Sequence, residues 1–83
     1  MFVHIGGDIS VISGSITAVI SLETAVVSSK GISAFMNSQD DDNRLQYLTE
    51  EIPKSLIVTD DRTYVSSISS SVLLKRLTGS EIV

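Results

Sequence analysis

The chain is 83 residues long, carries a formal net charge of −4 and contains no cysteine. This length predicts one domain over residues 1–83, and the lack of cysteine excludes disulfides, thiolate catalysis and cysteine-ligated zinc sites. Because so short a chain has a thin core, its hydrophobic content of 42% favours a homo-oligomer that buries part of its surface. No apolar run approaches the roughly 20 residues of a membrane-spanning helix, and the N-terminus has no basic signal region, so we expect a cytoplasmic protein without a membrane partner.

The first quarter of the chain is predicted to form short β-strands. Residues 2–5 are a β-prone run that ends in Gly6-Gly7-Asp8, and glycine supplies the positive φ angles of a tight hairpin. Residues 9–13 return as a second strand. A third strand follows, and one of its faces carries Ile16, Ala18, Ile20 and Leu22. The pattern predicts three consecutive antiparallel strands joined by short links.

A helix is predicted after these strands. It begins at the capping residues Glu23-Thr24, continues through apolar residues at helical spacing, and ends at Asn37. Gly31 lies inside it and costs about 1 kcal/mol relative to alanine, so tertiary packing has to stabilise this helix. The polar segment 37–43, NSQDDDN, is predicted to be a mobile surface loop.

The next segment predicts an edge strand and then a central strand. The edge strand lies near residues 45–48, and Pro53 fits the start of the strand that follows because proline has no N–H to donate. Residues 56–58 are apolar on both faces, as in a central strand that is covered on both sides. We expect another subunit to supply the second cover. The predicted oligomer interface therefore comprises Leu56, Ile57, Val58 and Tyr64.

The C-terminal third combines a hairpin and a helix. Residues 60–61 predict a turn, residues 63–68 a returning strand, and the serines at 69–71 offer N-cap hydroxyls to a terminal helix. Lys75 and Arg76 fall in its last turn, where they complement the helix dipole. The whole chain therefore predicts an α+β fold, a small antiparallel β-sheet of about five to six short strands with two helices.

The residue types argue against catalysis, a cofactor or a metal. His4 is the only histidine, and near a strand end it is expected to be a hydrogen-bonded structural residue rather than a general base. Counted from Asp40, an EF-hand spacing would place Leu45 where the loop requires glycine, so the three aspartates at 40–42 are interpreted as a solvated acidic loop. We therefore predict that the protein is not an enzyme and has no catalytic, cofactor-binding or metal-binding residue.

Four basic residues are the candidates for binding nucleic acid: Lys54, Arg62, Lys75 and Arg76. Strand ends and helix ends can place such side chains along one rim, which a ring of subunits would repeat. The alternative is that Lys75 and Arg76 only complement the helix dipole while Lys54 and Arg62 keep the surface soluble. The negative net charge lowers the expectation of nucleic-acid binding without excluding it.

Several segments together resemble a known family. They are FVHIGGD, ITAVISLE, PKSLIVT and the serine-rich stretch that ends in LLKR. They are similar to the bacterial extracellular matrix regulatory proteins RemA and RemB, with RemB the closer, and Pro53-Lys54-Ser55 is the most specific part. The resemblance spans nearly the whole chain. It implies a LytTR-like subunit, a ring-forming homo-oligomer and regulation of biofilm matrix genes, with DNA bound by arginines around the ring in the RemA branch.

The chain departs from the RemA branch at positions where that branch carries arginines. Ser15 stands at the start of the third strand, and Glu50, Glu51 and Ile52 precede the apolar strand. Fewer arginines and more carboxylates reduce the counterion-release energy of DNA binding. The leading hypothesis is therefore a non-enzymatic, ring-forming regulator with weakened DNA binding.

Two other functions stay open at this point. The first alternative is a protein-interaction module or co-regulator that binds other regulatory proteins through the acidic surface of residues 40–51 without contacting DNA. The second is binding of a small ligand or ion in a ring pore, for which the sequence names no ligand.

Overall fold

The computed structural model describes residues 1–23 and 29–78, so the predicted cap residue Thr24 lies outside them. The protein has the predicted α+β composition, with two helices and six short strands in these ranges. The elements are β1 (Phe2–Gly6), β2 (Ile9–Ile12), a 3-10 turn (Ser13–Ser15), β3 (Ile16–Ser21), α1 (Ser29–Asp41), β4 (Leu45–Tyr47), β5 (Ser55–Thr59), β6 (Thr63–Ser66) and α2 (Ser70–Thr78). Neither of these helices is long and apolar enough to cross a membrane.

The strands are divided between two sheets. β1 and β2 form the expected antiparallel hairpin, and a second sheet has the order β3-β5-β6-β4. The prediction of three consecutive antiparallel strands is wrong for β3, because the 3-10 turn separates it from β2 and the apolar strand β5 becomes its partner. β4 is the expected edge strand, and it pairs with β6 in parallel.

The β1–β2 hairpin turns on two glycines. Gly6 and Gly7 have φ angles of 138° and 53°, which residues with a side chain rarely adopt. A Cβ atom on Gly6 would also lie 2.9 Å from Ser66 Oγ, because the hairpin packs closely onto β6. The Ser66 hydroxyl donates a hydrogen bond of 2.6 Å to the carbonyl oxygen of Ile5. The turn therefore reverses the chain, as predicted, and also lies where the hairpin is attached to the second sheet.

A β-bulge in β3 changes which residues of that strand face the core. The pairing register with β5 shifts between Ile16 and Ala18, so Thr17 is an extra residue on the β3 side. Ile16 and Val19 both pack against the core cluster, whereas Ala18 is exposed. The prediction that Ile16 and Ala18 share a face is therefore wrong, since the bulge interrupts the two-residue alternation between them.

Helix α1 extends to Asp41 rather than ending at Asn37, so most of the predicted loop is helical. The chain leaves the helix at Asn43, whose φ of 59° is the left-handed conformation that asparagine tolerates. The N–H of Arg44 bonds back to the carbonyl of Gln39 at 2.8 Å, which completes a Schellman motif. The signal that ends the helix is therefore the second asparagine of the polar segment.

The core lies between the second sheet, the hairpin and α2. Ile57 of β5 is fully buried and clusters with Val3 and Ile5 of β1 and with Leu73 of α2. The start of α2 follows the prediction, because the Ser69 hydroxyl accepts a 3.4 Å hydrogen bond from a backbone N–H in the first turn. This layer therefore combines the hairpin and α2 on one face of β5.

The opposite face of the sheet carries α1 on the side of β4 and β6. Four residues share this face through the β5–β6 register: Leu56, Val58, Thr63 and Val65. The Thr63 hydroxyl donates a hydrogen bond of 2.8 Å to the Gln39 side chain of α1, which places the helix over this face. Leu56 and Val65 are fully buried. Both faces of β5 are thus covered within one subunit, and neither Leu56 nor Ile57 needs a second subunit as cover, contrary to expectation.

Candidate nucleic-acid interface

The two predicted cations nearest β5 lie at its opposite ends. Lys54 directly precedes the strand, and Arg62 follows it in the turn to β6. The five residues of the strand separate them, which corresponds to roughly 15 Å. Both side chains are exposed. One subunit therefore does not bring Lys54 and Arg62 to a shared contact point.

The other two predicted cations lie in the last turn of α2. Lys75 is exposed, whereas Arg76 is half-buried and its Nη1 donates a hydrogen bond of 2.8 Å to the carbonyl oxygen of His4. Arg76 thus connects α2 to the β1–β2 hairpin. His4 Nε2 donates a further hydrogen bond of 2.8 Å to the carbonyl of Gly7, which confirms that this histidine is a hydrogen-bonded part of the hairpin.

The structure adds a cation that the sequence reasoning missed. Parallel pairing places Leu45 of β4 opposite Thr63 of β6, so Arg44 and Arg62 directly precede partnered residues. The Arg44 carbonyl accepts a 2.8 Å hydrogen bond from the Thr63 N–H, and the two arginine backbones lie about 5 Å apart. Arg62 Nη1 also donates to Gln46 Oε1 at 3.0 Å. No sequence signal could find this pair, because it depends on β6 inserting between β4 and β5.

Carboxylates flank β4 on both sides along the chain. Asp40 and Asp41 occupy the last turn of α1, where the helix dipole disfavours negative charge and no basic residue is present. Glu50 and Glu51 are exposed in the loop that leads to Lys54. Residues 40–51 hold five carboxylates and one guanidinium, so 1 − 5 gives a net charge of −4. In the described ranges, no three His, Cys, Asp or Glu side chains are placed to hold a metal ion.

The outward face of the hairpin is apolar at one end, whereas the exposed pair His4 and Ser10 lies at the other. Phe2 and Ile12 are direct cross-strand partners, and 71% and 54% of their surfaces are exposed. Met1 is also exposed, and its carbonyl accepts a 2.8 Å hydrogen bond from the N–H of Ser13, which extends the pairing. We call Met1, Phe2 and Ile12 the hairpin patch. Exposed apolar surface of this kind is typical of contacts with another macromolecule.

The predicted interface residues differ in how much surface they keep. Leu56 and Ile57 are fully buried within the chain, whereas Val58 and Tyr64 are half-buried. Tyr64 lines a groove of about 520 Å³ together with Phe2 and Ile12 of the hairpin patch. An oligomer interface at these positions stays a prediction, and of the four residues only Val58 and Tyr64 retain surface for it.

A comparison with protein families gives the same family as the sequence segments that resemble RemA and RemB. No curated protein matches the chain significantly. A family comparison matches residues 2–77 to RemA-like, the family described as extracellular matrix regulatory protein A-like. The matched range runs from the first strand to the last turn of α2. The match is to the RemA-like family as a whole and does not support a specific assignment to RemB. The chain therefore belongs to the RemA-like family of extracellular matrix regulatory proteins.

Proposed function

We propose that this protein is a non-enzymatic cytoplasmic regulator of extracellular matrix gene expression that acts as a homo-oligomeric ring. The observation that carries this proposal is the family match, which includes almost every strand and helix of the fold. The glutamates at 50 and 51, where the DNA-binding branch is expected to carry arginines, support a placement nearer to RemB.

The hairpin patch supports self-association. A chain of this size gains stability from partner subunits, and the patch offers apolar side chains that no other described residue covers. Tyr64 adds an aromatic ring to the adjoining groove, and aromatic residues are enriched at subunit contacts. The proposed subunit contact is therefore the hairpin patch with Tyr64, and not the buried residues of β5.

The proposed DNA binding is weak for each subunit. Lys54, Arg62 and Lys75 are exposed, but they lie at separate places, and Arg76 already bonds to the hairpin. The neighbouring arginines Arg44 and Arg62 form the densest basic point. Two phosphates neutralised per subunit would make affinity fall roughly tenfold between about 50 and 200 mM salt. A ring would compensate by presenting many such points at once.

An electrophoretic mobility shift at low salt tests this proposal. We expect micromolar protein to retard duplex DNA, and the double change Arg44→Ala, Arg62→Ala to abolish the shift because it removes the adjacent guanidinium groups. Lys30→Ala is the control for loss of an exposed cation elsewhere, and each single change, Arg44→Ala or Arg62→Ala, is compared with it at equal charge. A blank lane at micromolar protein and low salt would contradict direct DNA binding.

A second function, docking of other regulatory proteins on residues 40–51, is favoured by the cost of the acidic helix end. Carboxylates in the last turn of a helix destabilise it by about 0.3–1 kcal/mol each, and within the described ranges no hydrogen bond or ion pair engages the Asp40, Asp41 or Asp42 side chains. The three aspartates therefore do not stabilise the fold, whereas binding of a partner with basic residues would explain why they are clustered here.

Neutralising the cluster tests the second function. The triple change Asp40→Asn, Asp41→Asn, Asp42→Asn should abolish capture of partner proteins from cell extract while leaving the oligomeric state unchanged. The control is the double change Asp8→Asn, Glu23→Gln, which removes exposed carboxylates outside both the acidic cluster and the groove beside the hairpin patch. Identical capture by the triple variant and the native protein would remove the support for this function.

A further inference from the structure

The second sheet ends in an unpaired strand edge at β4. In the described ranges β4 pairs with β6 on one side only. The Arg44 carbonyl and the Leu48 N–H both bond toward β6, to Thr63 and Val65 at 2.8 Å. Because backbone groups alternate in direction along a strand, the N–H and C=O groups of the residues between, at 45 and 47, point away from the sheet. This edge can accept a further strand.

A cleft lies directly beside this edge, between β4 and α1. It has a volume of about 290 Å³ and is lined by Ser33, Met36, Asn37 and Asp40 from α1 and by Leu45 and Tyr47 from β4. This volume is at the lower limit for small-molecule sites, so the cleft fits a single side chain better than a whole ligand. Met36 and Leu45 give the cleft some apolar surface, Asp40 adds a carboxylate, and Tyr47, which is 57% exposed, adds an aromatic ring.

The charge around the cleft selects what can enter it. The net charge of −4 over residues 40–51 repels a second copy of the same edge. A basic side chain would instead pair with the Asp40 carboxylate and stack on the Tyr47 ring. An extended peptide on β4 places every second side chain on the α1 side of the sheet, so one of them can reach the cleft.

We propose that the β4 edge binds an extended segment of a partner protein as an added strand, with one arginine or lysine of that segment in the α1–β4 cleft. Backbone hydrogen bonds to Leu45 and Tyr47 supply affinity, and the cleft supplies specificity for the basic residue. This inference rests on the second proposed function, because it defines the chemistry of the partner and the backbone groups that hold it.

Selection from a random heptapeptide library displayed on phage tests the chemistry of the partner. Peptides selected on the native protein should be enriched in one basic residue flanked by alternating β-branched residues. Asp40→Asn should weaken the selected peptides roughly fivefold to tenfold, whereas the control Asp60→Asn, with the same charge change at the β5–β6 turn, should leave binding unchanged. Peptides without basic enrichment, or equal binding to Asp40→Asn, would overturn the proposal.

Amide hydrogen exchange measured by NMR tests the strand addition itself. The selected peptide should slow exchange of the Leu45 and Tyr47 amides by roughly tenfold or more, and N-methylation of the peptide amides that face β4 should abolish binding. N-methylation of the peptide amides that point away from β4 should leave binding unchanged. Partner capture that depends on Asp40–Asp42 but leaves these two amides unprotected would preserve the second function and reject strand addition. If partner capture does not depend on Asp40–Asp42 and the two amides also stay unprotected, the second function is rejected as well.

Discussion

The two boundaries of this small fold present opposite chemistry. One end of the hairpin's outward face is apolar and carries Phe2 and Ile12, whereas the α1–β4 boundary carries five carboxylates and a cleft with an aromatic ring. An apolar face is suited to a second copy of the chain, since identical apolar patches do not repel each other. An acidic edge is suited to a partner of opposite charge. We infer from this comparison that the proposed self-association and the proposed partner binding would use different surfaces, so one would not block the other.

The largest effect should follow from a charge in the hairpin patch. Phe2→Glu should convert the proposed oligomer to monomer, because each buried phenylalanine contributes about 1.5–3 kcal/mol to a contact and a buried carboxylate costs more. Native mass spectrometry gives the subunit number directly. The unfolding temperature of the monomer should change little, because this side chain is 71% exposed.

A matched control uses another exposed apolar residue. Ile52 is 82% exposed in the loop before β5, outside the hairpin. Ile52→Glu should leave the oligomer intact. Dissociation by Ile52→Glu together with an intact oligomer in Phe2→Glu would move the subunit contact from the hairpin to the start of β5.

A smaller effect is expected at the turn that attaches the hairpin. Gly6→Ala should destabilise the fold by about 2–3 kcal/mol, because alanine is strained at this positive φ and its Cβ would lie 2.9 Å from the Ser66 hydroxyl. Urea denaturation measures the change in the free energy of unfolding. Gly14→Ala is the control, since no atom lies within 4 Å of its added Cβ. Equal stability of the two variants would show that the turn does not constrain the hairpin.

The smallest effect is expected on the acidic side. Gly31→Ala should stabilise the fold by about 0.5–1 kcal/mol, because the residue is exposed within α1 and an added Cβ meets nothing within 4 Å. The same urea titration measures it, and partner binding should be unaffected. Destabilisation would mean that this side of α1 is packed against another subunit, which would contradict the separation of the two surfaces.

Local signals in the sequence were sufficient for much of the fold. The Gly6-Gly7 turn, the Ser69 cap and the strand positions were all predictable, because each depends on residues within a few positions of one another. The predicted end of α1 at Asn37 is wrong by four residues, because the sequence offers two asparagines as stop signals. The choice between them depends on tertiary contacts such as the hydrogen bond between Gln39 and Thr63. The bulge at Thr17 could not be predicted either, because a bulge is defined by the pairing of β3 with β5.

The candidate site was less predictable than the fold. The sequence identified Lys54, Arg62, Lys75 and Arg76 by charge alone, but it could not show that Arg76 bonds to His4 or that Arg62 lies beside Arg44. Both facts depend on contacts between distant parts of the chain. The acidic character of residues 40–51 was visible in the sequence, whereas the cleft beside it was not.

The sequence by itself determined the α+β class, the family, and the separation of apolar and acidic segments along the chain, because these follow from composition and short-range pattern. Tertiary structure alone decided that β3 leaves the hairpin for β5, that both faces of β5 are covered within one subunit, and that β4 is left with a free edge. The physical reason is that strand pairing joins residues far apart in sequence, so register and burial depend on partners that no local pattern specifies.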